Sequence, residues 1–425
     1  MFRKYYIFSE RRNFSISNML SKNNEKTMKD KIKYLQTPCY ILDERKLENN
    51  FSLLCSEFKK AWGDTFVVGY SFKTNSLPYV LSWMKKQGAY AEVVSETEYL
   101  LARKLEFPID KIILNGPVKG KSAILEVLNG GGIVNLDSFS EIELLTKEKP
   151  VDGKVWKVGL RINFDLENEC PGETLLGNLP GRFGFNIENN SLHNAIEELK
   201  KIKYVKICGF HGHHSTKTKS LKIFRTICNK LSYVADLFEI NCEYIDVGGC
   251  IFGDKPGAPS FKDYAEVISN ELRKCVRFKD AYLILEPGAG LVASPFSYLT
   301  KIVDVKSVRN TLIATSNGSL IHIDPQMHGI SFQTKLFSTS DTKKEYQIVA
   351  GFTCIEKDRL VELFNAPTLK KDDLIMYYNT GAYSLALAPL FIQYYPTVYV
   401  YKDSEFIEVR NKWSVEEYLM KSEVL

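Results

Sequence analysis

Lys73 closes an apolar, β-rich run, Phe66-Val67-Val68-Gly69-Tyr70-Ser71-Phe72, and Thr74, Asn75, Ser76 and Pro78 follow it. That pattern predicts a buried strand delivering its lysine at the C-terminal end. A lysine held there loses hydration, which favours the neutral amine that can attack an aldehyde and form a Schiff base. On these ten residues alone, a surface lysine just past a strand is the competing reading. Seven further groups stand at or after the ends of other short β-like runs. They are Glu92, Asn115-Gly116-Pro117, Asp137-Ser138, Arg161-Ile162-Asn163, His211-Gly212-His213-His214-Ser215-Thr216, Asp246-Val247-Gly248-Gly249 and Glu286-Pro287-Gly288. A glycine pair at a strand end can bring backbone N–H groups to a phosphate, or be no more than a turn. Glu286 could keep a ring nitrogen protonated or cap a turn. Three of the six histidines lie in one stretch, but no Cys, His or Asp stands at ligand spacing beside them. An imidazole stacked on a flat aromatic ligand fits better than a metal site, so no metal is expected.

The elements that must position these groups repeat a simple grammar. Strand-like runs at Phe66–Tyr70, Ala89–Val94, Lys111–Leu114, Gly132–Leu136, Val155–Ile162, Val205–Phe210, Tyr244–Val247 and Tyr282–Leu285 are each trailed by a helical pattern, as at Glu96–Leu105 and Ser138–Leu145. Eight such β-α alternations predict an α/β fold, a (β/α)8 TIM-like barrel whose working residues gather at the strands' C-terminal ends. From about Tyr298 the helices drop out. Ile302–Lys306, Thr311–Thr315, Leu320–Ile323, Tyr346–Val349 and Thr397–Tyr401 predict a second, mostly β C-terminal domain, sandwich- or barrel-like. The expected division is a basic, disordered extension over 1–33, a barrel over 34–290 and a β domain over 291–425. The short strand near 38–42 is expected to join the β domain, with Asp43 capping the helix that follows.

Composition narrows the classes further. The chain has 425 residues, 44% of them apolar and 25% charged, enough for a large core in two domains. Its net charge of +5 is spread out, with no long basic run past the first thirty residues, which argues against a nucleic-acid surface. Nine cysteines without a CxxC pair point away from zinc and disulfides, toward a reducing, cytoplasmic compartment. No apolar stretch is long enough to cross a bilayer. Arg3, Arg11 and Arg12 loosely suggest a transit peptide, but Glu10 sits badly with one.

In this order and spacing the motifs resemble the fold-type III pyridoxal-phosphate decarboxylases, the group of the diaminopimelate and ornithine decarboxylases. The resemblance runs from Thr37 to about Pro396. Tyr-Ser-Phe-Lys-Thr-Asn (70–75) is similar to that family's Schiff-base segment, which implies that Lys73 carries pyridoxal 5'-phosphate. His213 then matches the ring-stacking histidine, Gly248 and Gly249 the phosphate-binding glycines, and Glu286 the carboxylate on the pyridine nitrogen. Glu92, Arg161, Thr216 and Gly288 complete the implied cofactor set, and Arg161 with Gly181-Arg182-Phe183-Gly184-Phe185 resembles the family's barrel segments. Gly351-Phe352-Thr353-Cys354 looks like the segment whose cysteine enters the partner subunit's site, which implies a homodimer with Cys354 as proton donor. Gly381-Ala382-Tyr383 looks like the segment whose tyrosine contacts the cofactor. The activity implied is loss of an α-carboxylate as CO₂, with Lys73, Glu286 and Cys354 as catalytic residues.

Three departures bear on substrate. Cys250 stands where the family has a third glycine, and Ala289 where an arginine serves a carboxylate. Ile355 stands where an acid reads the distal amine, with Glu356 one place later as the substitute candidate. A site without that arginine and acid suits a substrate whose distal amine is already acylated. The segments 286–293 and 381–389 look most like the siderophore-pathway branch, which decarboxylates citryl-amino acids such as citryl-ornithine. His322, His328 and Lys335 are candidate partners for a carboxylate-rich arm. The other readings are a diaminopimelate, ornithine or lysine decarboxylase, a racemase, and a catalytically inactive, antizyme-inhibitor-like binding protein. The last is disfavoured because Lys73 and Cys354 are both retained.

Overall fold

The computed structural model describes residues 31–423, and the chain divides into two compact units. One is Asn49–Leu291; the other joins the described residues through Glu48 to the chain from Val292 onward. Residues 1–30 of the expected extension lie outside the described residues. Ile32, inside the expected disordered stretch, is instead buried in an apolar cluster with Cys39, Ile41, Leu299 and Met376. The first strand, β1 (Cys39–Asp43), belongs to the second unit, so the barrel unit begins at Asn49, not at residue 34.

The barrel unit carries β2 (Phe66–Ser71), β3 (Tyr90–Val93), β4 (Ile112–Leu114), β5 (Ile133–Leu136) and β6 (Trp156–Asn163). It continues through β7 (Phe185–Asn186), β8 (Val205–His211), β9 (Tyr244–Asp246) and β10 (Tyr282–Leu285). The pairing order is β5-β4-β3-β2-β10-β9-β8-β6, every pair parallel, and β5 pairs with β6 to close the barrel. Two-residue β7 extends from the rim of β6. Each expected barrel strand is present, because a buried parallel strand is a short apolar run whichever face it shows.

The barrel is filled, not hollow. Ile113, Cys208, Tyr244 and Ile284 form one interior cluster, with Val67, Tyr90 and Ile133 packed against it. Tyr244 reaches across the lumen and donates to Asn135 Oδ1 at 2.7 Å. Gly159 and Gly209 make room for it: a Cβ on either would fall 1.9 Å from the Tyr244 hydroxyl oxygen or 2.5 Å from its ring. This plug leaves the strands' C-terminal ends free to face a separate cavity.

In the second unit, β11 (Phe296–Val308), β12 (Thr311–Ser316), β13 (Thr334–Phe337), β14 (Lys343–Ala350), β15 (Arg359–Pro367), β16 (Leu374–Tyr378), β17 (Thr397–Lys402) and β18 (Glu405–Arg410) build a largely antiparallel sheet with β1. β1 lies between β11, antiparallel, and β17, parallel. Leu320–Ile323, expected as a strand, is a single helical turn. Ser319 accepts from the amide of Ile321 at 3.2 Å and Asp358 Oδ1 from that of Leu320 at 2.8 Å, and these caps turn the apolar run helical. Asp43 caps the Glu44–Trp62 helix as expected, accepting from the Lys46 amide at 3.0 Å.

Candidate active site

Lys73 sits on a single 3-10 turn, Phe72–Thr74, directly after β2, and its buried neighbours Phe72 and Thr74 anchor it from both sides. Its Nζ donates to Glu92 Oε2 at 2.7 Å. The same oxygen accepts from the Ser71 hydroxyl at 2.6 Å, and Oε1 from Asn115 Nδ2 at 3.1 Å. The lysine side chain keeps 35% of its exposure. Its setting therefore differs from the desolvated amine expected: the side chain is partly exposed and sits at hydrogen-bond distance from a carboxylate. Glu92 is also an acceptor for the proton that must leave before the amine can attack a carbonyl.

Asn115 ties this group to the next. Its Nδ2 also donates to Glu286 Oε1 at 2.5 Å, and its Oδ1 accepts from Asn135 Nδ2 at 2.9 Å. Glu286 Oε2 lies 3.6 Å from His211 Nε2, an ion-pair distance longer than a hydrogen bond. Burial alone would raise the Glu286 carboxyl, but His211 and Lys73 draw it well below the usual carboxylate range. Asp246 moves the other way: burial and the Glu286 charge push it well up, so it keeps its proton. His211, Asp246 and Glu286 place ligand atoms within 4.8 Å of one another, a cluster that sequence spacing did not reveal. With Asp246 neutral and Glu286 ionised, the trio is suited to holding a protonated ring nitrogen.

His213 flanks this group, its ring stacked near that of His211 at 6.3 Å between centroids. Its Nδ1 accepts from the Gly249 amide at 3.0 Å, which assigns the remaining ring proton to Nε2. Burial and Arg161 hold His213 neutral, and burial brings His214 down to about 4. Arg161 lies 3.7 Å from Asp137, reaches the His213 carbonyl at 3.5 Å and covers the Phe183 ring at 4.4 Å. Behind them, fully buried Lys119 pairs with Glu141 at 2.6 Å, and Glu141 accepts from the Asp137 amide at 2.7 Å.

The glycines act through closeness. A Cβ on Gly248 would strike His213, on Gly249 the Glu286 carbonyl at 2.2 Å, and on Gly288 the Thr74 hydroxyl at 2.0 Å. The last contact packs the Glu286 turn against the turn that carries Lys73. The amides of the glycine pair are engaged within the protein, Gly248 with Asp246 Oδ1 at 2.9 Å and Gly249 with His213. Thr216 Oγ1 lies 3.6 Å from Cys250 Sγ, and Cys250 takes the left-handed backbone (φ 70°) that a third glycine would occupy without strain.

Lys73, Glu92, Arg161, His211, His213 and Glu286 thus border one cavity of about 1140 Å³. Its outer wall is the 163–189 segment, where Leu175, Leu176 and Leu179 stay exposed beside Arg182. Asn115, His211 and Asp246 were recognisable only as strand-end residues, since what distinguishes them is whom they meet.

The remaining expected residues lie in the β unit. Cys354 is exposed on the 351–358 loop, with exposed Glu356 two places on. Tyr383 is 45% exposed in a left-handed conformation (φ 57°). His322 is not the basic partner expected for an anionic arm. It is buried, Nδ1 is 2.6 Å from the Tyr298 hydroxyl, and burial lowers it to about 4, so it is neutral. His328 is exposed, and Lys335 lies near the Phe337 ring.

A closed parallel barrel with a lysine, an ionised carboxylate and a neutral imidazole at its C-terminal mouth suits an enzyme that works through a carbonyl cofactor. Residues 48–293, more than half of the chain, match the family described as "Pyridoxal-dependent decarboxylase, pyridoxal binding domain", and the chain belongs to that family. It is therefore a pyridoxal-phosphate-dependent amino-acid decarboxylase. The diaminopimelate decarboxylase of Methanocaldococcus jannaschii is 27% identical over 83% of this chain and 83% of its own. The L-glutamyl-[BtrI acyl-carrier protein] decarboxylase of Niallia circulans is 24% identical over 86% and 88%. The structure of the M. jannaschii enzyme with L-lysine shares the fold at a TM-score of 0.81 and 24% identity, over 95% of this chain and 94% of that one. Among the described residues no helix is long and apolar enough to cross a membrane.

The residues present fit the cofactor. The amine, the ionised carboxylate and the neutral imidazole surround one cavity, and three glycines let the chain approach where side chains would collide.

Proposed function

We propose that this decarboxylase removes the α-carboxylate of an amino acid whose distal amine is already conjugated, of the citryl-ornithine type. The observation that carries the reading is that Ala289 and Ile355 stand where the family places an arginine and an acid for a free distal group. Glu92 and Glu286 are taken up by Lys73, Asn115 and His211. Of the outer carboxylates, Asp165 caps Asn168, Glu167 accepts from Gly172 and Thr174, and Glu188 accepts from the Asp165 amide and Asn186. These donors are neutral and leave the outer carboxylates charged, while a distal carboxylate would meet Arg182 beside an apolar leucine wall. The cavity, about 1140 Å³, has to hold the cofactor together with the substrate. The N. circulans relative, by its name, likewise acts on a conjugated amino acid.

In this reading Lys73 would hold the cofactor through its aldehyde, with Glu92 as acceptor for the proton of its amine. Glu286, fixed by Asn115, would keep the ring nitrogen protonated, and His213 would flank the ring. When bound, pyridoxal phosphate supplies the electron sink for the pair released with CO₂. Cys354 of a partner subunit, placed by family resemblance, returns a proton to the α-carbon, and Tyr383 contacts the cofactor.

A second reading, diaminopimelate decarboxylase, is favoured by the M. jannaschii relative. CO₂ release by the purified, cofactor-loaded enzyme separates the two on a panel of ornithine, lysine, arginine, meso-diaminopimelate and citryl-ornithine. We expect turnover of the citryl compound alone, abolished in Lys73→Ala. Turnover of a free diamino acid in its place would overturn the substrate assignment.

A further inference from the structure

Both amides of the glycine pair at the end of β9 are used inside the protein, so neither supplies a free donor to a phosphate at this loop. Lys219, on the loop after β8, stands beside it. Its amide donates to Thr216 Oγ1 at 3.3 Å, and its carbonyl accepts from the Tyr264 hydroxyl at 2.6 Å. These bonds hold Lys219 in a left-handed conformation (φ 53°), strained for a residue with a side chain. Cys250, in contact with Thr216, is held the same way. The Lys219 ammonium lies 4.7 Å from the centre of the Phe252 ring, and the Lys255 ammonium lies 4.8 Å from the same ring.

Two ammonium groups therefore share one aromatic ring, and Lys219 has no ion pair among the described residues. Burial lowers the Lys219 ammonium, the Cys250 thiol opposes that shift, and Lys255 adds to it. A partly buried cation facing a second cation, with no carboxylate paired to it among the described residues, is unfavourable until an anion joins it. The strained backbone keeps it there nonetheless.

We propose that Lys219, with the Thr216 hydroxyl, binds the phosphate of pyridoxal phosphate and supplies the charge that the engaged Gly248 and Gly249 amides do not. A charged side chain here also offsets the loss of a third glycine at Cys250. The assignment concerns the cofactor and is independent of which amino acid is decarboxylated.

The test compares pyridoxal phosphate with pyridoxal, which lacks the phosphate, by titrating the full-length chain and following the visible absorbance of the bound cofactor. Lys219→Met should weaken pyridoxal phosphate by about tenfold or more while leaving pyridoxal within about twofold, and Lys219→Arg should restore most of the difference. Equal weakening of both ligands, or of neither, overturns the proposal. If Lys219→Met does not fold, amine labelling of the wild-type chain decides. Lys219 should be protected with pyridoxal phosphate bound and labelled with pyridoxal bound, and equal labelling in the two states overturns the assignment.

Discussion

Glu92 and His322 show how burial assigns opposite work to two polar side chains. Glu92 gathers three donors, the ammonium of Lys73 among them, and so keeps the reactive amine in place and supplied with a proton acceptor. His322 gathers one side-chain partner, the Tyr298 hydroxyl, and burial dominates its setting. Folded, it binds a proton only near pH 4; unfolded, it does so near 6.5. Between those values the unfolded chain carries the extra proton, so stability falls as pH falls through that window, by about 3 kcal/mol in total from this side chain. His322→Gln, which can still meet the Tyr298 hydroxyl, should reduce the slope of unfolding free energy against pH by about one proton per chain. Denaturant melts at pH 4.5, 5.5 and 6.5 would measure it, and an unchanged slope would refute it. No sequence signal separated His322 from His328; one is buried and the other exposed because of where the helical turn at Leu320 places them.

At the scale of elements, the Cys354 loop is organised from beneath by Asp358. Its carboxylate accepts from the Ser319 hydroxyl and Leu320 amide at 2.8 Å, the Thr353 amide at 3.1 Å and the Thr353 hydroxyl at 2.6 Å. Asp358→Ala leaves buried donors unpaired and should cost about 2–4 kcal/mol, read as a lower denaturant midpoint. Asp358→Asn, which keeps an acceptor oxygen, should cost less. The barrel strands were legible because each is a brief apolar run followed by a helical period. In the β unit the same rule misassigned Leu320–Ile323, whose four apolar residues carry no period of their own. It also passed over β13, β15 and β18, where mixed polar sequence lies along a solvated sheet surface, as in Glu405–Arg410, and over β16, a buried apolar run with no helical pattern after it. Lys119 shows the limit at the site: Val-Lys-Gly-Lys looks solvated, yet its first lysine is wholly buried against Glu141.

For the whole molecule, the consequential expectation is assembly. The candidate proton donor Cys354 is exposed in one unit while Lys73 lines a cavity of the other. If two copies share their sites, mixing Lys73→Ala with Cys354→Ala subunits should restore up to about a quarter of native activity, since half the random dimers regain one intact site. Neither variant alone should be active, and no recovery after subunit exchange would argue that each chain works by itself.

β1 gives the fold an awkward order of manufacture. Cys39–Asp43 leaves the ribosome long before either of its hydrogen-bonding neighbours, β11 and β17. At usual synthesis rates the wait is on the order of tens of seconds. Throughout it, Cys-Tyr-Ile-Leu is a short apolar strand with two open edges, a hazard for sticking to other nascent chains. A chaperone that shields this tetrapeptide until Phe296 emerges would raise the yield of active protein, and a message cut short after the barrel would yield a product prone to aggregate.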